Sequence, residues 1–246
     1  METEDPYAAL GVGYAKLRRP DPRIATLITD ALGDAGSVVN VGAGTGSYEP
    51  TDRRVVAVEP SSTMIQQRPA GSAAAVKAYA EDLPFDDKVF DVGLAILTVH
   101  HWRDPDKGLA ELRRVSRRQV MMTWDPIEVS RMWLIADYLP EIAATEKSLV
   151  TLSQIAAALA PASVRTILVP WDCSDGFLAA YWRRPHAYLE DDVRAGASGF
   201  AGLPRAVVER GMKRLRDDLR TGRWHTRNRD LLNRSALDVG YRLVVS

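Results

Sequence analysis

Over the first half of the chain, short β-branched runs alternate with stretches whose apolar residues recur every three to four positions. Residues 37–41 (Ser-Val-Val-Asn-Val), 55–59 (Val-Val-Ala-Val-Glu) and 90–97 (Phe-Asp-Val-Gly-Leu-Ala-Ile-Leu) read as strands. The last is nearly continuously apolar, as expected of a strand covered by helices on both faces. An alanine-rich stretch at 74–79 and an apolar run at 120–123 complete five strands. Between them Ile24, Leu27, Ile28, Ala31 and Leu32 keep helical spacing up to a stop at Gly33. Ser61 and Ser62 offer N-caps for a helix through Met64 and Ile65 to Pro69, and Pro105 opens a helix with Leu109, Leu112 and Val115 inward. Alternation of strand and helix predicts an α/β fold with a doubly wound, mostly parallel sheet.

The rhythm changes after Pro126. Residues 127–160 read as largely helical, 164–169 as a strand, the aromatic-rich stretch to about 234 as helical, and 241–245 as a closing strand. The expected organisation is a core over residues 1–126 with an N-terminal helix at 7–19, and a helical lid over 127–240 that lends the core a strand near 164–169. Residues 241–246 close the sheet. Trp124, Trp133, Tyr138, Trp171, Phe177, Tyr181 and Trp182 gather aromatic area in the second half. They suit the walls of an apolar acceptor site, or the packing of lid helices onto the sheet.

Three features carry chemistry. Gly42, Gly44 and Gly46 follow the first strand, so backbone N–H groups there can approach a ligand closely. Glu59 ends the second strand, where a carboxylate can accept both hydroxyl protons of a ribose. The pattern is G-x-G-x-G and lacks the third glycine of a dinucleotide site, which weighs against a nicotinamide-dependent oxidoreductase. His100 and His101 stand just past the fourth strand and titrate in a useful range, as a base or as a brace for the loop. Asp125, at the exit of the fifth strand, is a second candidate proton acceptor, or a cap for the next segment.

Charge and cysteine content narrow the class. In 246 residues Lys+Arg and Asp+Glu both number 32, a balance without the basic excess of a nucleic-acid binder. The single cysteine, Cys173, excludes an internal disulfide and a cysteine-cluster metal site and suits a reducing cytoplasm. No stretch is long and apolar enough to span a bilayer, and the acidic N-terminus lacks an apolar signal region. A cytoplasmic protein without membrane or nucleic-acid partners is expected; its oligomeric state is not legible.

Taken in order, the glycine loop at 38–46, the strand-tip Glu59, the segment Ala80-Glu81-Asp82-Leu83-Pro84-Phe85 with Phe90-Asp91, and His100-His101 resemble the class I S-adenosylmethionine-dependent methyltransferases. The resemblance covers residues 37–125 and is greatest to the small-molecule, methyltransferase type 11 branch that includes ubiquinone- and menaquinone-biosynthesis enzymes. It implies a Rossmann-like sheet with a helical lid and S-adenosylmethionine as cofactor. Gly42, Ala43, Gly44 and Gly46 then surround its methionine part, Glu59 holds the ribose, and Ser61 and Met64 flank the adenine. Ala80 offers its N–H to the adenine ring and Glu81 accepts from the exocyclic amine, while Leu97 and Thr98 face the cofactor's amino group. Tyr14, with Arg19 or its neighbour Arg18, closes over the methionine carboxylate, unless these are a core tyrosine and a solvated pair. Asn40 departs from the family, which has Asp or Glu there; an amide keeps an acceptor but loses the charge that favours an ammonium.

The implied function is methyl transfer to a small aromatic or apolar metabolite, as in specialised metabolism, with His100, His101 or Asp125 as base where the acceptor keeps a proton. A binding relative without turnover remains open because of Asn40. Methylation of nucleic acid or protein is disfavoured by the neutral charge and by Thr98-Val99-His100-His101 where an Asn-Pro-Pro-Tyr-like motif would stand.

Overall fold

The structure is a computed structural model and describes residues 18–146 and 150–246, so the expected helix at 7–19, Tyr14 included, lies outside the described residues but for its end. The strands are β1 (Ser37–Val41), β2 (Arg54–Val58), β3 (Ala75–Val76), β4 (Phe90–Ile96), β5 (Ser116–Trp124), β6 (Ser163–Pro170) and β7 (Ala236–Val245). They form one sheet in the order β3-β2-β1-β4-β5-β7-β6. β1 to β5 are parallel, and β7 runs antiparallel to both β5 and β6. The order reverses between β1 and β4, and a crevice opens at the carboxyl ends of strands where such a reversal occurs.

The helices are α1 (Pro22–Leu32), α2 (Ser62–Gln66), α3 (Pro105–Val115), α4 (Pro126–Ser130), α5 (Pro140–Glu146), α6 (Leu152–Ala158), α7 (Asp191–Ala195), α8 (Ser198–Ala201), α9 (Arg205–Arg220) and α10 (Arg223–Arg227), with several 3₁₀ turns and one π turn besides. Their starts follow local chemistry. Asp21, Ser61 and Asp104 side chains accept from the N–H groups of Arg23, Met64 and Lys107, which a helix's first turn leaves without partners. α3 buries Leu109, Leu112 and Val115 as its spacing predicts.

Four expectations need correction. Leu27 is 43% exposed, because α1 meets the sheet with the narrower stripe Ile24, Ile28 and Leu32. The third strand keeps only two residues, its alanines offering little to pack on a sheet edge. β5 begins at Ser116, directly after α3, and β7 begins at Ala236 rather than 241. Pairing with β4 extends β5 through the polar Ser116–Gln119, and antiparallel pairing with β6 extends β7 back through Gly240 and Asp238.

β1 is buried throughout and feeds two cores, Val38 facing α1 and Val39 and Val41 facing α3. The first of these continues without a break through Met132 and Trp133 to Trp182, Tyr188 and Trp224, so sheet and helical second half share it. Among the described residues no helix is long and apolar enough to cross a membrane, and no cluster of metal-ligating side chains occurs.

Candidate active site

The glycine loop leaves β1 and is pinned at once, the N–H groups of Gly42 and Ala43 both donating to Val58 O at 2.9 and 3.0 Å. Gly42 has φ 69°, and a Cβ there would stand 1.9 Å from Thr98 Oγ1. Only glycine allows Thr98, at the exit of β4, to press against the loop. Glu59 is 5% exposed and spans the crevice: Oε2 accepts from Gly44 N–H at 2.8 Å and Oε1 from Ser61 N–H at 2.9 Å. Those charge-assisted bonds couple the loop to the start of α2, whose first turn buries Met64.

A buried polar network lies beside the loop, and sequence reasoning did not foresee it. Asn40 Nδ2 donates to Glu49 Oε1 at 2.9 Å, and Glu49 Oε2 is paired with Arg68 Nη2 at 2.6 Å. Arg68 also donates to Gly44 O and Ala73 O, at 3.3 and 3.2 Å. Gly46, at φ 92°, is small for this reason, since a Cβ would come within 3.2 Å of Glu49 and 3.3 Å of Arg68. Asn40 Oδ1 is buried without a partner. The only sequence signal was a Glu shortly after the loop and a lone Arg ahead of Pro69, neither of which carries a motif.

The segment at 80–85 is held from α3. Leu83 N–H donates to Glu111 Oε2 at 2.9 Å, and Arg114 donates to Leu83 O and Phe85 O at 2.9 and 2.7 Å. Ala80 is buried, and Glu81 Oε1 accepts from Asp104 N–H at 3.0 Å. The loop that the resemblance assigns to adenine is therefore held along α3, from its N-cap Asp104 to Arg114.

Past β4 the chain turns sharply. Leu97 takes φ 52° with its N–H on Met122 O, and a single tight turn, Val99–His101, follows. The His100 ring lies 3.7 Å from that of His101 and 4.1 Å, edge-on, from Trp124. Both line a cleft that has Leu97, Phe177 and Tyr241 among its walls. Among the described residues, neither nitrogen of His100 has a hydrogen-bond partner. Burial, then His101 and the Arg18 cation, push its pKa well below the ordinary imidazole value, and desolvation lowers His101 to about 4. Both rings are therefore neutral at pH 7.

Of the arginine pair, Arg18 lines this cleft and its guanidinium meets the buried Asp175 at 2.8 Å, while Arg19 is exposed. Asp125 does not line the cleft; its carboxylate accepts from Ile127 N–H at 2.9 Å and caps α4. The aromatic residues divide. Trp124 and Phe177 wall the cleft, whereas Trp133 and Trp182 are buried packing, their indole N–H groups on Trp182 O and Val169 O. Tyr138 donates to Asp218, Trp171 is 42% exposed under Arg183, and Tyr181 lies beneath Arg184, which is tied to Cys173 O.

Comparison with known proteins agrees with this geometry. A family model described as a methyltransferase domain matches residues 39–122. A crystal structure from Anabaena variabilis, of a protein assigned as a methyltransferase of an antibiotic biosynthesis pathway, superposes with a TM-score of 0.87 at 33% identity, covering 94% of this chain and 98% of that one. The cyclase SpnF, 15% identical, shares the fold alone, with a TM-score of 0.51 over 91% of this chain and 79% of its own. With likeness extending over nearly the whole of the Anabaena protein, the chain belongs to the class I S-adenosylmethionine-dependent methyltransferases.

Proposed function

We propose that this methyltransferase acts on a small, apolar or aromatic acceptor held in the cleft beyond β4 and β5, and that His100 or His101 receives the acceptor's proton. The cleft itself carries the reading: Leu97, Trp124, Phe177 and Tyr241 line it together with two neutral imidazoles, directly beyond the Leu97-Thr98 corner that touches the glycine loop. S-adenosylmethionine, when bound, supplies an electrophilic methyl group.

The residues present fit that cofactor. A Cβ on Gly44 would meet nothing within 4 Å, so the loop leaves room on that side, and Asn40 offers a buried acceptor without a partner. Gly42, Ala43, Gly44, Asn40, Leu97 and Thr98 then hold its amino-acid end, Glu59 the ribose, and Met64, Ala80 and Glu81 the adenine. Arg18 lines the cleft while Arg19 is exposed, which supports Arg18 as the arginine that reaches between cofactor and acceptor. The walls exclude water and orient the acceptor, and a neutral His100 has a lone pair for the departing proton. Asp125 is committed to its cap and takes no part in this scheme.

The Anabaena relative's assignment to an antibiotic pathway supports a place in specialised metabolism. A single buried thiol suits a reducing cytoplasm. The test is turnover: formation of S-adenosylhomocysteine from a panel of aromatic hydroxyl, amine and carbon acceptors. His100→Ala and His101→Ala, assayed with the best acceptor, should show at least one drop in kcat of about 10²- to 10⁴-fold with cofactor affinity nearly unchanged. Full activity in both variants leaves positioning as the whole mechanism. Turnover confined to macromolecular acceptors refutes the small-molecule reading.

A further inference from the structure

The network beside the glycine loop gives Asn40 a task that an acid at that position cannot perform. Its amide nitrogen donates to Glu49, so a carboxylate already stands 2.9 Å from residue 40. An aspartate there would face Glu49 without a donor between them, two carboxylates sharing the one guanidinium of Arg68. With its nitrogen committed, the amide turns its oxygen away from Glu49, and that oxygen is buried and unpaired in a residue 1% exposed. An unmet buried acceptor is destabilising, and a matching donor relieves that cost.

We propose that Asn40, Glu49 and Arg68 act as one positioning set for the amino-acid end of the cofactor, with Asn40 Oδ1 accepting from its ammonium group. Glu49 orients the amide. Arg68 ties the carboxylate to the loop through Gly44 O, while Glu59 holds the same residue by its N–H. Gly44 is thereby clamped between the ribose carboxylate and the ammonium acceptor, so both ends of the nucleoside amino acid are referred to one residue. Glu49 and Arg68 act through their neighbours and are positioning residues. Because they neutralise each other, the acceptor is a neutral dipole, and the motif's usual charge is replaced by a fixed orientation. The inference rests on S-adenosylmethionine as cofactor.

Two probes separate this role from support of the fold: S-adenosylhomocysteine, which carries the ammonium, and 5′-methylthioadenosine, which lacks it. Calorimetric titration of Glu49→Gln and Asn40→Asp should show S-adenosylhomocysteine binding weakened about tenfold or more, with 5′-methylthioadenosine within about twofold of wild type. Equal or tighter S-adenosylhomocysteine binding by Asn40→Asp overturns the proposal, as do equal losses for both probes, which make the set merely structural. If Asn40→Asp fails to fold, Glu49→Gln decides by the same criterion; loss of folding in both variants also makes the set structural and overturns it. Failure of wild-type protein to bind S-adenosylhomocysteine at all refutes the cofactor assignment instead.

Discussion

Glu59 shows how one side chain serves both loop and ligand. A carboxylate has lone pairs for about four donors, and the N–H groups of Gly44 and Ser61 engage one on each oxygen. The ligand contact proposed for Glu59 is with the ribose hydroxyls. Glu59→Ala therefore removes a ligand contact and two bonds that shape the crevice, and S-adenosylhomocysteine affinity should fall by about 1–3 kcal/mol by calorimetry. Unchanged affinity in the folded variant takes Glu59 out of the site. The carboxylate was legible in the sequence, because an apolar strand ending in an acid at that distance from a glycine loop has a chemical meaning. Its partners were not, since backbone N–H groups carry no residue-specific signal. Asn40 is the opposite case. In the sequence it reads as a lost charge, and only Glu49, nine positions on and folded back against it, shows it as a donor.

At the scale of elements, the strap leading into α1 is bound to a turn far along the chain. Asp21 is fully buried; it accepts from the Arg23 guanidinium, from Ser174 N–H at 3.1 Å and from Arg23 N–H at 3.0 Å. Its own N–H donates to Tyr48 OH, and Ser47 Oγ bonds Arg18 O, so the strap also touches the end of the glycine loop. The Arg23 side-chain hydrogen bonds, helped by the backbone N–H groups and opposed by burial, hold the Asp21 carboxyl at about 2, against an ordinary 3.8. A folded-state value below the unfolded one stabilises fully above pH 4 and is lost as pH falls from about 4 to about 2. The contribution is on the order of 2 kcal/mol. Urea unfolding of wild type and Asp21→Asn should differ most near pH 6 and converge toward pH 2.5. A constant gap across that range shows that Asp21 does not titrate in this window. Asp21 caps α1 from directly before Pro22, a local matter, whereas the tie to Ser174 needed the fold.

At the scale of the whole molecule, the helical second half is welded to the sheet. Trp182 is fully buried, its indole N–H on Val169 O of β6 and its carbonyl accepting from Trp133. Trp133 in turn packs against Trp224 and Tyr188 at ring separations of 5.1 and 5.6 Å. Trp182→Ala opens a cavity in a core that both halves share, at a cost of about 3–5 kcal/mol in denaturant unfolding. Far- and near-ultraviolet circular dichroism should report a single shared transition in wild type. Two separated transitions would mean that sheet and lid are independent folding units.

The sequence alone determined the alternation of strands and helices, the helix caps, the glycine loop with Glu59, and the placing of His100 and His101 beyond β4. These are local in origin: backbone sterics, the periods of the two regular structures, and capping chemistry act within a few residues. Tertiary structure decided the rest. Pairing extended β5 and β7 beyond their expected bounds, and packing sorted Trp124 and Phe177 into the cleft and Trp133 and Trp182 into the core, with Arg18 in the cleft and Arg19 exposed. It also buried Glu49 and Arg68 beside Asn40. Each of these outcomes depends on atoms brought together from distant parts of the chain, and desolvation acts on a side chain only once that surrounding has formed.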